Sequence, residues 1–240
     1  MKNLMKFNTS PFLYRLNYLI KHKARTSIIL AFLRYKLTRP FFNSFRSMEK
    51  KKFKIIIKDK LITHDFFSPN VFDWKKNLKK YKKKNISYLE IGSFEGISAY
   101  FIHQFFKNKN IHCVDTWLGS DEHGKDTNFK DVEFKFDNNL KNAENLNKYK
   151  ITSDIFFDNN QNFFDIIYID GLHKYYQVKK DLNNALKYLK EDGIIICDDY
   201  FWNLDGEKLE KPISAINEVV NENSLKIVAV TTNQIFLKKY

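Results

Sequence analysis

Four short apolar runs shape the chain from residue 86 onward: "ISYLEIG" ending at Gly92, "IHCVD" at Asp115, "FDIIYID" at Asp170 and "GIIICDD" at Asp199. Each is strand-sized, and stretches with helical spacing, "EGISAYFIHQFFK" and "YYQVKKDLNNALKYLKE", lie between them. Apolar runs without alternation are what strands show when helices cover both faces of a parallel sheet. The pattern therefore predicts βαβ units in a three-layer α/β sandwich. "KITSDIFF" (150–157) is expected as a weak third strand, the helix "YYQVKKDLNNALKYLKE" is expected to close at Asp192-Gly193, "ISAINEVVNEN" reads as a late helix, and "LKIVAVTTNQIFLKKY" as a terminal antiparallel hairpin.

At 240 residues with 43% hydrophobic content, the chain can hold one sizeable domain plus an extension. Cys113 and Cys197, both inside apolar runs, read as buried small hydrophobes in a reducing compartment, so a cytoplasmic location is expected. The formal charge of +13 is unevenly spread: up to Ile86, 23 Lys/Arg against 4 Asp/Glu give +19, and the remainder carries 18 against 24, or −6. A basic leader suits nucleic acid, an anionic membrane surface or an acidic partner, whereas the rest offers no general basic surface.

The leader divides in two. Residues 1–48 are expected to be a basic amphipathic helical extension, with two short helices between Pro11 and Leu37 that stop before Arg39-Pro40. Residues 49–86 form a lysine-rich connecting segment in which "FKIIIKDKLIT" suggests a strand and "FDWKKNLKKYKKK" a basic helix or linker. Peripheral membrane contact, packing on a partner subunit in a homo-oligomer, and coverage of the main domain (87–240) all remain open for these helices. The run "TSIILAFL" stops at Arg34, far short of the roughly 20 apolar residues that a span requires.

In a doubly wound sheet a ligand sits outside the carboxyl ends of the strands, so the strand ends are read together. The first turn is "EIGSFEG", with Gly92 allowing close backbone approach and Gly96 close helix packing. Phe94 stands where a dinucleotide fingerprint would need its second glycine, which disfavours pyrophosphate binding. The acid-x-Gly turn resembles the first motif of class I S-adenosylmethionine-dependent methyltransferases, whose Rossmann-like fold is a mostly parallel seven-stranded sheet. That resemblance implies that Glu90 and the Gly92–Gly96 turn surround the methionine part of the cofactor, with Ser93 and Phe94 as contacts. It also implies that Asp115, 25 residues after Glu90, receives the ribose hydroxyls. Trp117 is open between bordering adenine or substrate and packing at the rim, and Ser153 and Asp154 are candidates for adenine.

Asp170 and the pair Asp198-Asp199 end parallel strands at the same sheet edge, where three carboxylates can converge. Neighbouring anions and desolvation oppose their ionisation, and a hard divalent cation such as Mg²⁺ would relieve both. The wording "IDGLHKYYQ…CDDY" resembles the metal-dependent sugar and macrolide O-methyltransferase branch. The resemblance implies Asp170, Asp198 and Asp199 as metal ligands, Asp170 also bordering the cofactor, and His173 as the base. His123, in a polar stretch between strands two and three, is a further substrate-contact candidate. The other histidines are expected to be structural.

The function expected is Mg²⁺-assisted O-methyl transfer from S-adenosylmethionine to a hydroxyl of a sugar, glycoconjugate or small metabolite. The alternatives are an RNA methyltransferase that uses the basic leader, and a non-catalytic membrane-surface or assembly module. No N-P-P-Y stretch for base methylation is present, and no aromatic-basic interleaving marks a nucleic-acid module.

Overall fold

The computed structural model describes residues 11–120, 128–204 and 211–239. Seven strands form one sheet: β1 (Ile86–Ile91), β2 (Lys109–Asp115), β3 (Leu146–Lys150), β4 (Phe164–Ile169), β5 (Leu189–Cys197), β6 (Leu225–Val230) and β7 (Ile235–Lys239). Their order is β3-β2-β1-β4-β5-β7-β6. The first five pair in parallel, and β7 pairs antiparallel with both β5 and β6. This is the doubly wound, Rossmann-like methyltransferase architecture expected from the sequence. The chain reverses direction across the sheet between β1 and β4, so the crevice of the fold opens at their carboxyl ends.

The unbroken apolar runs are explained by two cores, one on each face. Leu89, Ile91, Ile167, Ile169, Ile195 and Cys197 point to one side, where α1 (Pro11–Lys21), α2 (Thr26–Thr38), α8 (Tyr175–Tyr188) and α9 (Pro212–Glu222) cover them. Tyr88, Ile166, Tyr168, Ile194 and Ile196 point to the other. There α3 (Asn43–Ile56), α4 (Val71–Leu78), α5 (Ile97–Phe105) and α6 (Phe129–Leu140) cover them. The described helices of the basic leader are thus layers of the sandwich. Leu19, Ile28 and Phe32 are completely buried, each contributing about 1.5–3 kcal/mol of apolar burial. Among the described residues no helix is long and apolar enough to cross a membrane.

Three local expectations are corrected. "KITSDIFF" is not the third strand: β3 ends on its first residue, Lys150, and Ser153–Asn159 forms α7, where the Thr152 hydroxyl accepts from the Ile155 amide at 3.3 Å. As the edge strand, β3 carries lysines that pair with Glu133 and Asp137 instead of an apolar run, which hid it. In "FKIIIKDKLIT" the isoleucine triplet suggested a strand, yet residues 53–56 finish α3. That helix buries Phe53, with Ile57 four residues on, and leaves Ile55 68% exposed, because helical spacing turns Ile55 away from the packed face. Finally, α8 ends at Tyr188 and β5 has already begun at Leu189, so Asp192-Gly193 lies within that strand's span, with a register shift between Phe164 and Ile166 opposite it.

Candidate active site

The turn from β1 to α5 is shaped by close approach. Gly92 has φ +85°, and a Cβ there would lie 2.0 Å from the carbonyl oxygen of Asp170. The space that the glycine clears is therefore occupied by the end of β4 rather than kept for a ligand. Gly96, φ +78°, serves helix packing as expected: a Cβ would meet Leu140 at 2.7 Å and Phe136 at 2.9 Å. Between them Ser93 is buried and Phe94 has φ +45°. Glu95, missed in the sequence, clamps the turn from below. Its carboxylate accepts from the Thr63 amide at 2.8 Å and hydroxyl at 2.5 Å, and lies 3.4 Å from Lys135.

Asp115 closes β2 and holds both flanking loops, accepting from the amide of Phe94 at 2.9 Å and that of Trp117 at 2.8 Å. The Trp117 indole donates back to the Phe94 carbonyl at 3.0 Å and packs on Phe136. At 2% exposure the tryptophan is a packing residue in this geometry. Asp115 is thus fixed at the mouth of the crevice.

Glu90 lies under the turn, fully buried, accepting from the hydroxyls of Tyr88 at 2.5 Å and Ser98 at 2.6 Å. Burial pushes its pKa from an ordinary 4.5 up to about 8 against those two hydrogen bonds, with Asp170 and Asp115 adding to the rise. The folded chain therefore keeps a proton that the unfolded chain has lost across that window, and stability falls as pH rises through it. Glu90→Gln is expected to flatten this fall, by roughly 2–4 kcal/mol between about pH 5 and 8. Urea denaturation at both pH values reads the change; equal slopes for variant and wild type would show that Glu90 is not the group responsible.

At the ends of β4 and β5 the structure gathers Asp170, His173 and Asp199, whose donor atoms all lie within 4.8 Å of one another. The His173 Nε2 is 2.9 Å from Asp199 Oδ2 and 3.7 Å from Asp170 Oδ1, and Trp202 packs its ring 5.0 Å from the imidazole. Asp199 sits at φ +49°, which turns its side chain back toward the histidine. Asp198 stands outside this triad. One of its oxygens accepts from the Asp199 amide at 2.8 Å, the other from Gln234 at 2.9 Å and from the Tyr168 hydroxyl. That hydroxyl also reaches Asp170 at 2.8 Å, so one proton donor serves two carboxylates.

Burial holds Asp170 above the usual carboxylate range, and the charge of Asp199 adds to this while His173 and Tyr168 oppose it. Asp198 is raised for the same reason, burial first, then Asp170 and Asp199. The two carboxylates of this cluster are hard oxygen donors of the kind a divalent cation takes, and the imidazole beside them is a borderline nitrogen donor. Tyr168 and Gln234 were not legible as site residues: one reads as core and the other sits 36 residues from its partner.

Ser153 and Asp154 open α7. Gln177 donates to the Ser153 hydroxyl at 3.1 Å and to Asp154 at 3.2 Å, and Lys180 pairs with Asp154 at 2.6 Å. His22 and His112 bond to Ser214 and Tyr149 within the packing. His123 lies outside the described residues.

A family model described as "Methyltransferase domain" matches residues 89–200, the stretch that contains every one of these strand ends. The uncharacterized protein R132 of Acanthamoeba polyphaga mimivirus is 32% identical over 142 residues, 58% of this chain and 62% of that protein, so the match spans under two thirds of the relative. Among solved structures, the MycE methyltransferase of the mycinamycin biosynthetic pathway, in complex with Mg, SAH and mycinamycin VI, superposes with TM-score 0.55 at 14% identity. It covers 80% of this chain and 53% of MycE. The O-methyltransferase TomG from Streptomyces achromogenes, involved in tomaymycin synthesis and bound to SAM, gives 0.54 at 11% identity over 86% of this chain and 97% of its own. The resemblance to class I S-adenosylmethionine-dependent methyltransferases read from the residues is borne out in domain and in fold.

Proposed function

We propose that the chain is an S-adenosylmethionine-dependent O-methyltransferase, assisted by a divalent cation, acting on a hydroxyl of a sugar, glycoconjugate or related small metabolite. The observation that carries this reading is the convergence of Asp170, His173 and Asp199 beside the turn whose Gly92 abuts the Asp170 carbonyl. Support also comes from MycE, a neighbour in fold that holds Mg, SAH and a macrolide together.

Asp170 and Asp199 would hold the cation, with Asp198 fixing both through the shared Tyr168 hydroxyl and the Asp199 amide. When bound, a divalent cation supplies Lewis acidity that lowers the pKa of an acceptor hydroxyl. His173 accepts the hydroxyl proton, its imidazole oriented by Asp199 at 2.9 Å and by the face of Trp202. Asp115 binds the ribose of the methyl donor, and the Ser93–Gly96 turn cradles its methionine end. Holding acceptor oxygen and methyl carbon in line accounts for much of the rate.

Calorimetry tests the reading directly. The wild type is expected to bind S-adenosylhomocysteine and Mg²⁺, and chelator to abolish turnover. His173→Gln is expected to bind Mg²⁺ within a few-fold of wild type yet lose roughly 10²–10⁴ in turnover, as removal of a general base does. Loss of Mg²⁺ affinity in that variant would make His173 a ligand instead. Turnover indifferent to chelator would remove the metal from the reading.

A further inference from the structure

Beyond the strand ends, a cavity of about 390 Å³ opens between α1 and the loop that leaves β5, lined by Pro11, Tyr14, Arg15, Phe201, Asn203 and Leu204. It borders the candidate site through a single loop. The Trp202 amide donates to the Asp199 carbonyl at 2.8 Å, and the Trp202 ring faces His173. Residues on either side of this tryptophan line the cavity.

Arg15 supplies its charge. The guanidinium donates one N–H to the Thr232 carbonyl at 2.8 Å and lies 5.1 Å over the Phe201 ring. Lys36 lies 5.3 Å over Phe32, whose ring is 5.4 Å from that of Phe201, so two cations rest on one aromatic pair. The charged neighbours of Lys36 are Arg15 and Arg39, and among the described residues no carboxylate pairs with any of the three. Burial lowers the pKa of Arg15 and of Lys36; Arg15 and Arg39 lower that of Lys36 further, while at Arg15 Tyr35 opposes the fall and Arg39 adds to it.

The other half-buried arginine of the leader makes the contrast. Arg46 is held by both oxygens of Asp73, at 2.5 and 2.6 Å, and against the effect of burial that carboxylate raises its pKa. A guanidinium taken partly out of water normally has such a counter-ion. Arg15 has four N–H donors beyond the one given to Thr232, and its side chain is the one charged group among the described residues that line the cavity.

We propose that this cavity binds an anionic group of the methyl acceptor, a phosphate or a carboxylate, gripped by Arg15 in the field of Lys36 and Arg39. The word acceptor rests on the methyl-transfer reading; the anion site itself does not. A sugar that carries such a group would place it against α1 and its hydroxyls toward His173. The leader then contributes a specificity determinant as well as core.

The test titrates the full chain, at low ionic strength, with inorganic pyrophosphate and separately with glucuronate. Wild type is expected to bind one of them, pyrophosphate marking a phosphate-bearing acceptor and glucuronate a carboxylate-bearing one. Arg15→Gln should weaken that binding at least tenfold and Arg15→Lys less, because the ammonium keeps charge without the fork. Lys36→Gln leaves the Arg15–Thr232 bond in place and should weaken binding several-fold, which guards against a merely structural loss. S-adenosylhomocysteine affinity should be equal in all four proteins. Failure of both anions to bind wild type, or equal anion affinity in Arg15→Gln, overturns the proposal. Failure of S-adenosylhomocysteine alone overturns the methyl-transfer reading and leaves the anion result standing.

Discussion

Asp170→Asn is expected to cut turnover roughly a thousandfold, as loss of a group that stabilises developing charge does, while making the protein harder to unfold. Both effects come from one cause. The folded pKa of Asp170 is raised by burial and by Asp199, so its proton is held more tightly in the folded chain than in the unfolded one. The stabilisation is complete below the ordinary carboxylate value and is lost as pH rises through the folded one. At neutral pH the ionised group is a net cost, which asparagine removes while still accepting from Tyr168. The gain should be of order 1 kcal/mol, visible by urea denaturation at about pH 8 and absent in acid. Added Mg²⁺ should stabilise wild type by mass action and the variant far less. An inactive variant that is also less stable would contradict the picture of a strained carboxylate cluster.

Gly92→Ala is expected to be the most destructive glycine-to-alanine change among the described residues. At φ +85° an alanine already costs about 1–2 kcal/mol. Its Cβ would also lie 2.0 Å from the Asp170 oxygen, 2.5 Å from the Asp170 carbonyl carbon and 2.8 Å from the Gly171 Cα. All three are backbone atoms and cannot swing aside. Relief requires β1 and β4 to part, breaking the bond from the Asp170 amide to the Ile91 carbonyl at 2.8 Å. A loss above about 4 kcal/mol, a large share of a domain's usual 5–15 kcal/mol, should leave most of the protein insoluble or expanded. Gly96→Ala, whose Cβ meets the side-chain ends of Leu140 and Phe136, should cost less because those can move. Denaturation midpoints of the two variants decide the matter: if Gly92→Ala is the milder, the close approach is not limiting.

The sequence made the inner strands legible because both faces of β1, β4 and β5 are buried, and such strands must be written in Ile, Leu and Tyr. It made the acids legible because they stand where those runs stop. What stayed hidden depends on distance along the chain. Edge strand β3 is stabilised by lysine pairs with α6 and so carries no apolar signature. The leader's helices showed amphipathic spacing but not which face of the sheet each covers. Glu95 reads as a turn acid until Thr63, 32 residues earlier, is seen bound to it. Trp74 and Gln234, 160 residues apart, meet only in the folded chain, where the indole donates to the Gln234 side-chain oxygen Oε1 at 2.9 Å.

Gln234 stands just before the hairpin strand β7, and it joins α4 on one side to Asp198 on the other. The Trp74–Gln234 bond closes a loop of 160 residues and the Asp198–Gln234 bond one of 36, so the first carries the larger closure entropy. The acidic edge has its full set of donors only with β7 paired to β5, so the hairpin strand acts as a latch on the assembled site.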